Sequence, residues 1–203
     1  METLLLVRHA FAGSNRDGIA SCAVPGEGLT AEGREQAHRL RVRLEAEEIG
    51  LGVATELRRT QEMLELALRG RDLPSIVVPE LNEIDFGGFD GGPLDAYRSW
   101  AAAQPPTAHA PGGGESRAAV AARFARGVRV LVERREAAIL AVGHALAIRY
   151  VLDAAAGLPP AALMAPVEHA VPHRLSAAEA NAAVSLLEGW SRAPAFRSSS
   201  DRE

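Results

Sequence analysis

LLLVRHAFAGSN, residues 4–15, ends an apolar run on an arginine and a histidine side by side. Residues 4–7 have the length and unbroken apolar character of a strand covered on both faces, and the turn residues Gly13, Ser14 and Asn15 follow soon after. Arg8 and His9 are therefore expected at the carboxyl end of a strand. In open α/β sheets that end is where ligands bind.

Outward from this stretch the chain alternates strands and helices. Thr30 is placed to cap AEGREQAHRLRVRLEAEEI, where Ala37, Leu40 and Leu44 recur at helical spacing among charged residues. LGVAT then reads as a strand and ELRRTQEMLELAL as a helix, and IVV at residues 76–78 is a short β-branched strand. Residues 79–115 are rich in Gly and Pro with little periodicity, apart from a helix expected in LDAYRSWAAA; a loop region this long is usually functional. Residues 116–134 read as a long helix, AAILAV as a buried strand, and ALAIRYVLDAAAG as a helix closed by Gly157. HAVPHRLS and AAVSLLEGW are read as further strands, and SRAPAFRSSSDRE as a frayed terminus. This order predicts a three-layer α/β/α sandwich with a mostly parallel central sheet, one domain over residues 1–190 and a flexible tail over 191–203.

Composition narrows the function classes. The 203 residues are 47% hydrophobic and 24% charged, a mix typical of a soluble globular domain with one substantial core. A formal net charge of −4 argues against nucleic-acid and anionic-membrane surfaces. The opening apolar run is too short for a signal peptide, so a cytoplasmic location is expected. The single cysteine, Cys22, leaves no internal disulfide framework and no cysteine metal cage, and among small neighbours it reads as a spacer. His169 and His173 have the spacing of metal ligands on a helix, but Pro172 breaks such a helix. His38 is expected on the solvent side of its helix and His109 in the loop region.

Two other strand ends repeat the opening pattern. LGVAT leads through Glu56 into Arg58 and Arg59, and residues 138–142 lead through Gly143 into His144. Right-handed crossovers bring the carboxyl ends of parallel strands to one edge, so Arg8, His9, one of Arg58 and Arg59, and His144 are expected to converge. Guanidinium forks match phosphate oxygens, and free N–H groups at a helix start near Ala145 also favour an anion.

VRHAFAGSN, LTAEGREQA, LRRTQEM, LNEIDFGGFDG, PGGGES and VGHALAIR resemble, in order, the motif series of the histidine phosphatase superfamily, the phosphoglycerate-mutase-like proteins, over about the first three-quarters of the chain. The resemblance implies a phosphomonoesterase. It makes His9 the phospho-acceptor with Arg8 beside it, Arg59 the second arginine, His144 the second pocket histidine and Asn15 a phosphate contact. Glu83 becomes the proton donor to the leaving oxygen, with Asp85 as the rival assignment. The chemistry suits these types: a neutral imidazole can attack phosphorus, fixed donors including a backbone N–H near Ala145 can hold the equatorial oxygens, and a carboxyl can protonate the alkoxide. No metal and no cofactor is implied, and the partner is a small phosphorylated metabolite; a homodimer is compatible with the sequence.

The motifs depart from the family in places. Ala10 and Ala145 stand where glycine is usual, Phe11 and Ala12 replace a Glu-Thr pair, and Phe89 and Asp90 replace Trp and Glu. Alanine at positions 10 and 145 requires a negative φ there. IASCAVPGEG replaces the Arg-x-x-Gly stretch that glycolytic mutases use, which favours a phosphatase over a mutase-type phosphoryl transferase, and LNEIDFGGFDG and PGGGES most resemble the small phosphatase branch that includes α-ribazole phosphatases. A phosphate-binding interaction module that has lost turnover is the reading from a different class.

Overall fold

In the computed structural model, which describes residues 1–197, the opening apolar run is β1 (Thr3–Arg8). The chain continues through α1 (Gly13–Arg16), α2 (Ala31–Arg43), β2 (Leu51–Ala54), α3 (Arg58–Ala67) and β3 (Ser75–Val77). Two 3-10 turns precede α4 (Leu94–Ala102), and α5 (Arg117–Val132), β4 (Ala138–Gly143), α6 (Ala145–Ala155), β5 (Pro172–Ser176) and α7 (Ala177–Arg192) complete the order. The five strands form one sheet in the order β3-β2-β4-β1-β5. All neighbours are parallel except β1 and β5.

Alternation along β1 explains why its four apolar residues are consecutive. Leu4 and Leu6 join a core with residues of α5, α6 and α7, whereas Leu5 and Val7 join a second core with residues of α2 and α3. Each face of the sheet is covered, so a strand in the middle has no polar side to offer. The result is the expected three-layer sandwich. Thr30 caps α2 by accepting from the Gly33 N–H at 3.0 Å, and Ser116 caps α5 by accepting from the Ala119 N–H at 3.1 Å.

The C-terminal region differs from the sequence reading. HAVPHRLS supplies β5, but AAVSLLEGW lies in α7 rather than in a strand. Ser176 and Glu179 form a reciprocal capping box there, and Ala180, Ala183, Val184, Leu187 and Trp190 bury a helical stripe. The stretch expected to fray from residue 191 is packed as far as it is described. Ser191 and Arg192 complete α7, Phe196 stacks on Trp190 with ring centroids 5.8 Å apart, and Arg197 pairs with Asp153 at 2.7 Å. Residues 198–203 lie outside the described residues. Among the described residues no helix is long and apolar enough to cross a membrane.

Candidate active site

Strand register builds the site. Arg8 is paired with Gly143 in the parallel β1–β4 ladder, and the His9 N–H donates to the Gly143 carbonyl at 2.9 Å. The residues after the two strands, His9 and His144, are thereby set side by side, with ring centroids 5.3 Å apart. β2 lies on the other side of β4, and the turn after it delivers Arg59 as the second residue of α3. Arg59 is only 2% exposed, whereas Arg58 faces solvent, so Arg59 is the one turned toward the two histidines.

Hydrogen bonds fix the tautomer of His9. Its Nδ1 lies 2.9 Å from the Ala10 carbonyl, which can only accept, so Nδ1 carries the proton. Its Nε2 receives the Arg59 Nε–H at 3.2 Å and therefore presents a lone pair. Burial holds the His9 and His144 pKa values well below the usual imidazole range, and the Arg59 charge lowers both further. Both rings are neutral at pH 7. Arg59 also donates Nη2 to the Ser21 carbonyl at 2.9 Å and lies 3.4 Å from His144 Nδ1, while its buried Nη1 has no partner. Thr55 Oγ1 sits 3.0 Å from His144 Nε2 and so orients the second ring, a residue the sequence reading did not single out.

Glu83 completes the arrangement from the loop after the first 3-10 turn, with Oε2 at 3.8 Å from His144 Nδ1. Burial pushes its carboxyl pKa up, against the pull of Arg59. The rival Asp85 is exposed and turns away, its Oδ1 accepting from the Gly87 N–H at 2.8 Å. Arg123 pins the backbone that carries Glu83: it donates to the carbonyls of Glu80, Asn82 and Glu83 and pairs with Glu115 at 2.5 Å. The PGGGES motif thus contributes through Glu115 and through the Ser116 cap, and its Gly112 and Gly114 pack against the backbone of Gly87 and Gly88.

Asn15, Ala145, Arg8, His9, Arg59 and Glu83 all line one cleft. Asn15 Oδ1 accepts from the Ala12 N–H at 3.0 Å, and Ala145 opens α6 with its N–H groups at the cleft. Neither Ala10 nor Ala145 has a positive φ, so both alanines fit where glycine is usual. His169, read in the sequence only for its spacing from His173, packs beside His9 instead. Its Nδ1 donates to the His9 carbonyl at 2.6 Å, and burial beside Arg8 lowers its pKa to about 4. His173 lies in β5 opposite Leu6. Cys22 is held near Asp90 with its thiol pushed up to about 12, which makes it a poor nucleophile.

Fold and site together define an α/β sandwich that sets a neutral imidazole against buried guanidinium groups at the carboxyl edge of a parallel sheet. The chain belongs to the histidine phosphatase superfamily (branch 1), which matches residues 4–197. It is similar to the adenosylcobalamin/alpha-ribazole phosphatase of Escherichia coli (strain K12), with 40% identity over 87 residues, 43% of this chain and 42% of that protein. The match thus spans less than half the length of that curated relative. Among solved structures, the alpha-ribazole phosphatase from Shigella flexneri superposes with a TM-score of 0.73 at 29% identity, covering 85% of this chain and 89% of that one. Bacillus stearothermophilus YhfR gives a TM-score of 0.74 at 28% identity, with the same 85% and 89% coverage.

Proposed function

We propose that the protein is a metal-independent phosphatase that hydrolyses a small phosphomonoester through a phosphohistidine on His9. The observation that carries this reading is the tautomer of His9: a buried, neutral ring whose Nε2 lone pair meets Arg59, beside an Nη1 with no partner among the described residues. In the first step the phosphoryl group displaces the Arg59 Nε–H from the Nε2 lone pair, that pair attacks phosphorus, the P–N bond forms and the ester P–O bond breaks, while the freed guanidinium turns to the phosphoryl oxygens. The Glu83 carboxyl, whose pKa burial raises, gives its proton to the departing alkoxide. Arg8, Arg59, the Asn15 amide, His144 and the N–H at Ala145 hold the three equatorial oxygens, where charge accumulates in the transition state. In the second step Glu83 takes a proton from water, which attacks phosphorus as the P–N bond returns its pair to Nε2 and inorganic phosphate leaves.

Fixed guanidinium charge supplies the electrostatic stabilisation that a metal supplies in other phosphatases. The test is phosphate release from an aryl phosphate and a panel of sugar, nucleotide and alpha-ribazole phosphates with chelator present, comparing wild type with His9→Ala. Release that chelator does not affect and that His9→Ala abolishes is expected. No release from folded wild-type protein, or release that survives in His9→Ala, overturns the reading.

A further inference from the structure

The cleft holds more positive charge than one phosphoryl group uses. Four arginines line it, Arg8, Arg59, Arg98 and Arg117, against a single carboxyl, Glu83. Arg8 and Arg59 flank His9 and answer the two charges of a phosphomonoester. Arg98 and Arg117 come from other elements, the middle of α4 and the start of α5, and both also line the groove that continues past Leu163 and Met164.

Arg117 is the unusual member. It is 7% exposed, and among the described residues it has no carboxylate partner. Its Nε donates to the Tyr150 hydroxyl at 2.6 Å with the guanidinium 5.3 Å from that ring, Tyr97 also interacts with the guanidinium, and its buried Nη2 has no hydrogen-bond partner among the described residues. A guanidinium does not lose its proton, so this is a permanent buried charge left with an unanswered donor. Such groups are costly unless something pairs with them. Arg98 is the exposed counterpart: among the described residues its ion pair is with Asp95 one turn earlier, a surface pair with side chains 64% and 88% exposed. Surface pairs of this kind are weak, so a bound anion can displace Asp95.

Resting on the phosphatase reading of the same cleft, we infer that the substrate is a phosphomonoester bearing a second anionic group, a carboxylate or a second phosphate, which Arg98 and Arg117 bind while His9 receives the phosphoryl group. The second anion docks at the α4–α5 wall, Arg117 supplying the preorganised donor and Arg98 closing from the surface. The same two charges leave a phosphomonoester of otherwise neutral skeleton without a partner for either arginine.

Matched pairs of substrates read this directly: 3-phosphoglycerate against glycerol 3-phosphate for a carboxylate, and fructose 1,6-bisphosphate against fructose 6-phosphate for a phosphate. Wild type is expected to prefer the member with the extra anion by tenfold or more in kcat/KM in at least one pair, which also tells carboxylate from phosphate. Arg98→Gln, at an exposed position where folding is not at stake, is expected to cut that preference about tenfold, chiefly through KM. Arg117→Lys, which keeps the charge but loses the fork, is expected to cut it further. Turnover of an aryl phosphate with no preference in either pair overturns the inference, as does an Arg98→Gln loss of equal size on both members. Calorimetric titration of the same pairs into His9→Ala separates the two readings. Preferential binding of the doubly anionic member without any turnover in wild type would sink the phosphatase reading alone, and equal binding would sink the second-anion site.

Discussion

Replacing Arg59 by methionine separates what the guanidinium does for chemistry from what it does for folding. Arg59→Met keeps a long unbranched stem in a site that is 2% exposed, and removes the donor to His9 Nε2 together with the unpartnered Nη1. Loss of one preorganised donor to a transition state costs about a hundred- to a thousandfold in rate, about 2.7–4 kcal/mol. Here two N–H groups and a full charge leave at once, so kcat on an aryl phosphate is expected to fall by about a thousandfold. Stability should hold or rise, because Glu83 acts on Arg59 only from beyond ion-pair range and a buried charge without a close partner is a cost to folding that methionine does not carry. The pH profile supplies a second readout. Burial is the main cause that lowers the His9 pKa and Arg59 is the next, so the variant's His9 pKa rises toward 6.5 while remaining below it. The acid limb of kcat/KM, below which the nucleophile is protonated, therefore shifts to higher pH in the variant. Stopped or continuous phosphate release between pH 4 and 8, with thermal melts alongside, gives both numbers. A rate loss under tenfold in a folded variant, or an acid limb that stays put or moves down, would refute the placement of Arg59 against the reacting group.

Glu83→Gln should slow substrates with poor leaving groups far more than activated aryl phosphates, and equal losses on both would remove Glu83 from the proton-donor role. The same substitution has a signed effect on stability: a carboxyl whose folded pKa is raised stabilises the fold below its unfolded value near 4.5 and loses that contribution as pH rises through the folded value. The melting-temperature difference between Glu83→Gln and wild type should therefore grow from pH 4 to pH 8, and a constant difference would contradict it. Gly33→Ala places a Cβ 2.1 Å from the Phe11 carbonyl, backbone against backbone, and should cost about 1–3 kcal/mol in urea melts while displacing the loop that carries His9. A Gly33→Ala midpoint equal to that of Gly143→Ala, whose Cβ meets nothing within 4 Å, would show that this contact yields freely.

What the sequence discloses follows from how local each signal is. The run at residues 4–7 and the polar pair after it reveal a buried strand and its functional end, because burial on both faces demands apolar residues and a strand end does not. His9 and His144 could be paired in advance because each directly follows a strand, and Arg8 opposite Gly143 in the ladder is what realises the pairing. Arg59 over Arg58 and Glu83 over Asp85 rested on family pattern, since adjacent residues on a turn differ only in the direction they face. The structure gives the physical reason: Arg59 is buried beside His9 and Glu83 is largely covered near His144, whereas Arg58 and Asp85 are exposed.

The C-terminal helix was misread although its signals were present: Ser176 followed by Glu179 is a capping box, and Ala180, Ala183, Val184, Leu187 and Trp190 keep helical spacing. Arg98 and Arg117 carried no such signal. Arginine on an amphipathic helix is ordinarily a solvated residue, and only the assembly of α4, α5 and the loop at Met164 around one cleft buries Arg117 and sets the exposed Arg98 at the rim. His169 is the same case: it follows no strand, and its bond to the His9 carbonyl spans 160 positions of chain. The groups proposed to react are local to strand ends and legible, whereas those proposed to choose a substrate are brought together by packing. Members of one fold can therefore share the first set and differ in the second, and it is Arg98 and Arg117, not His9, that should decide which phosphomonoester this protein accepts.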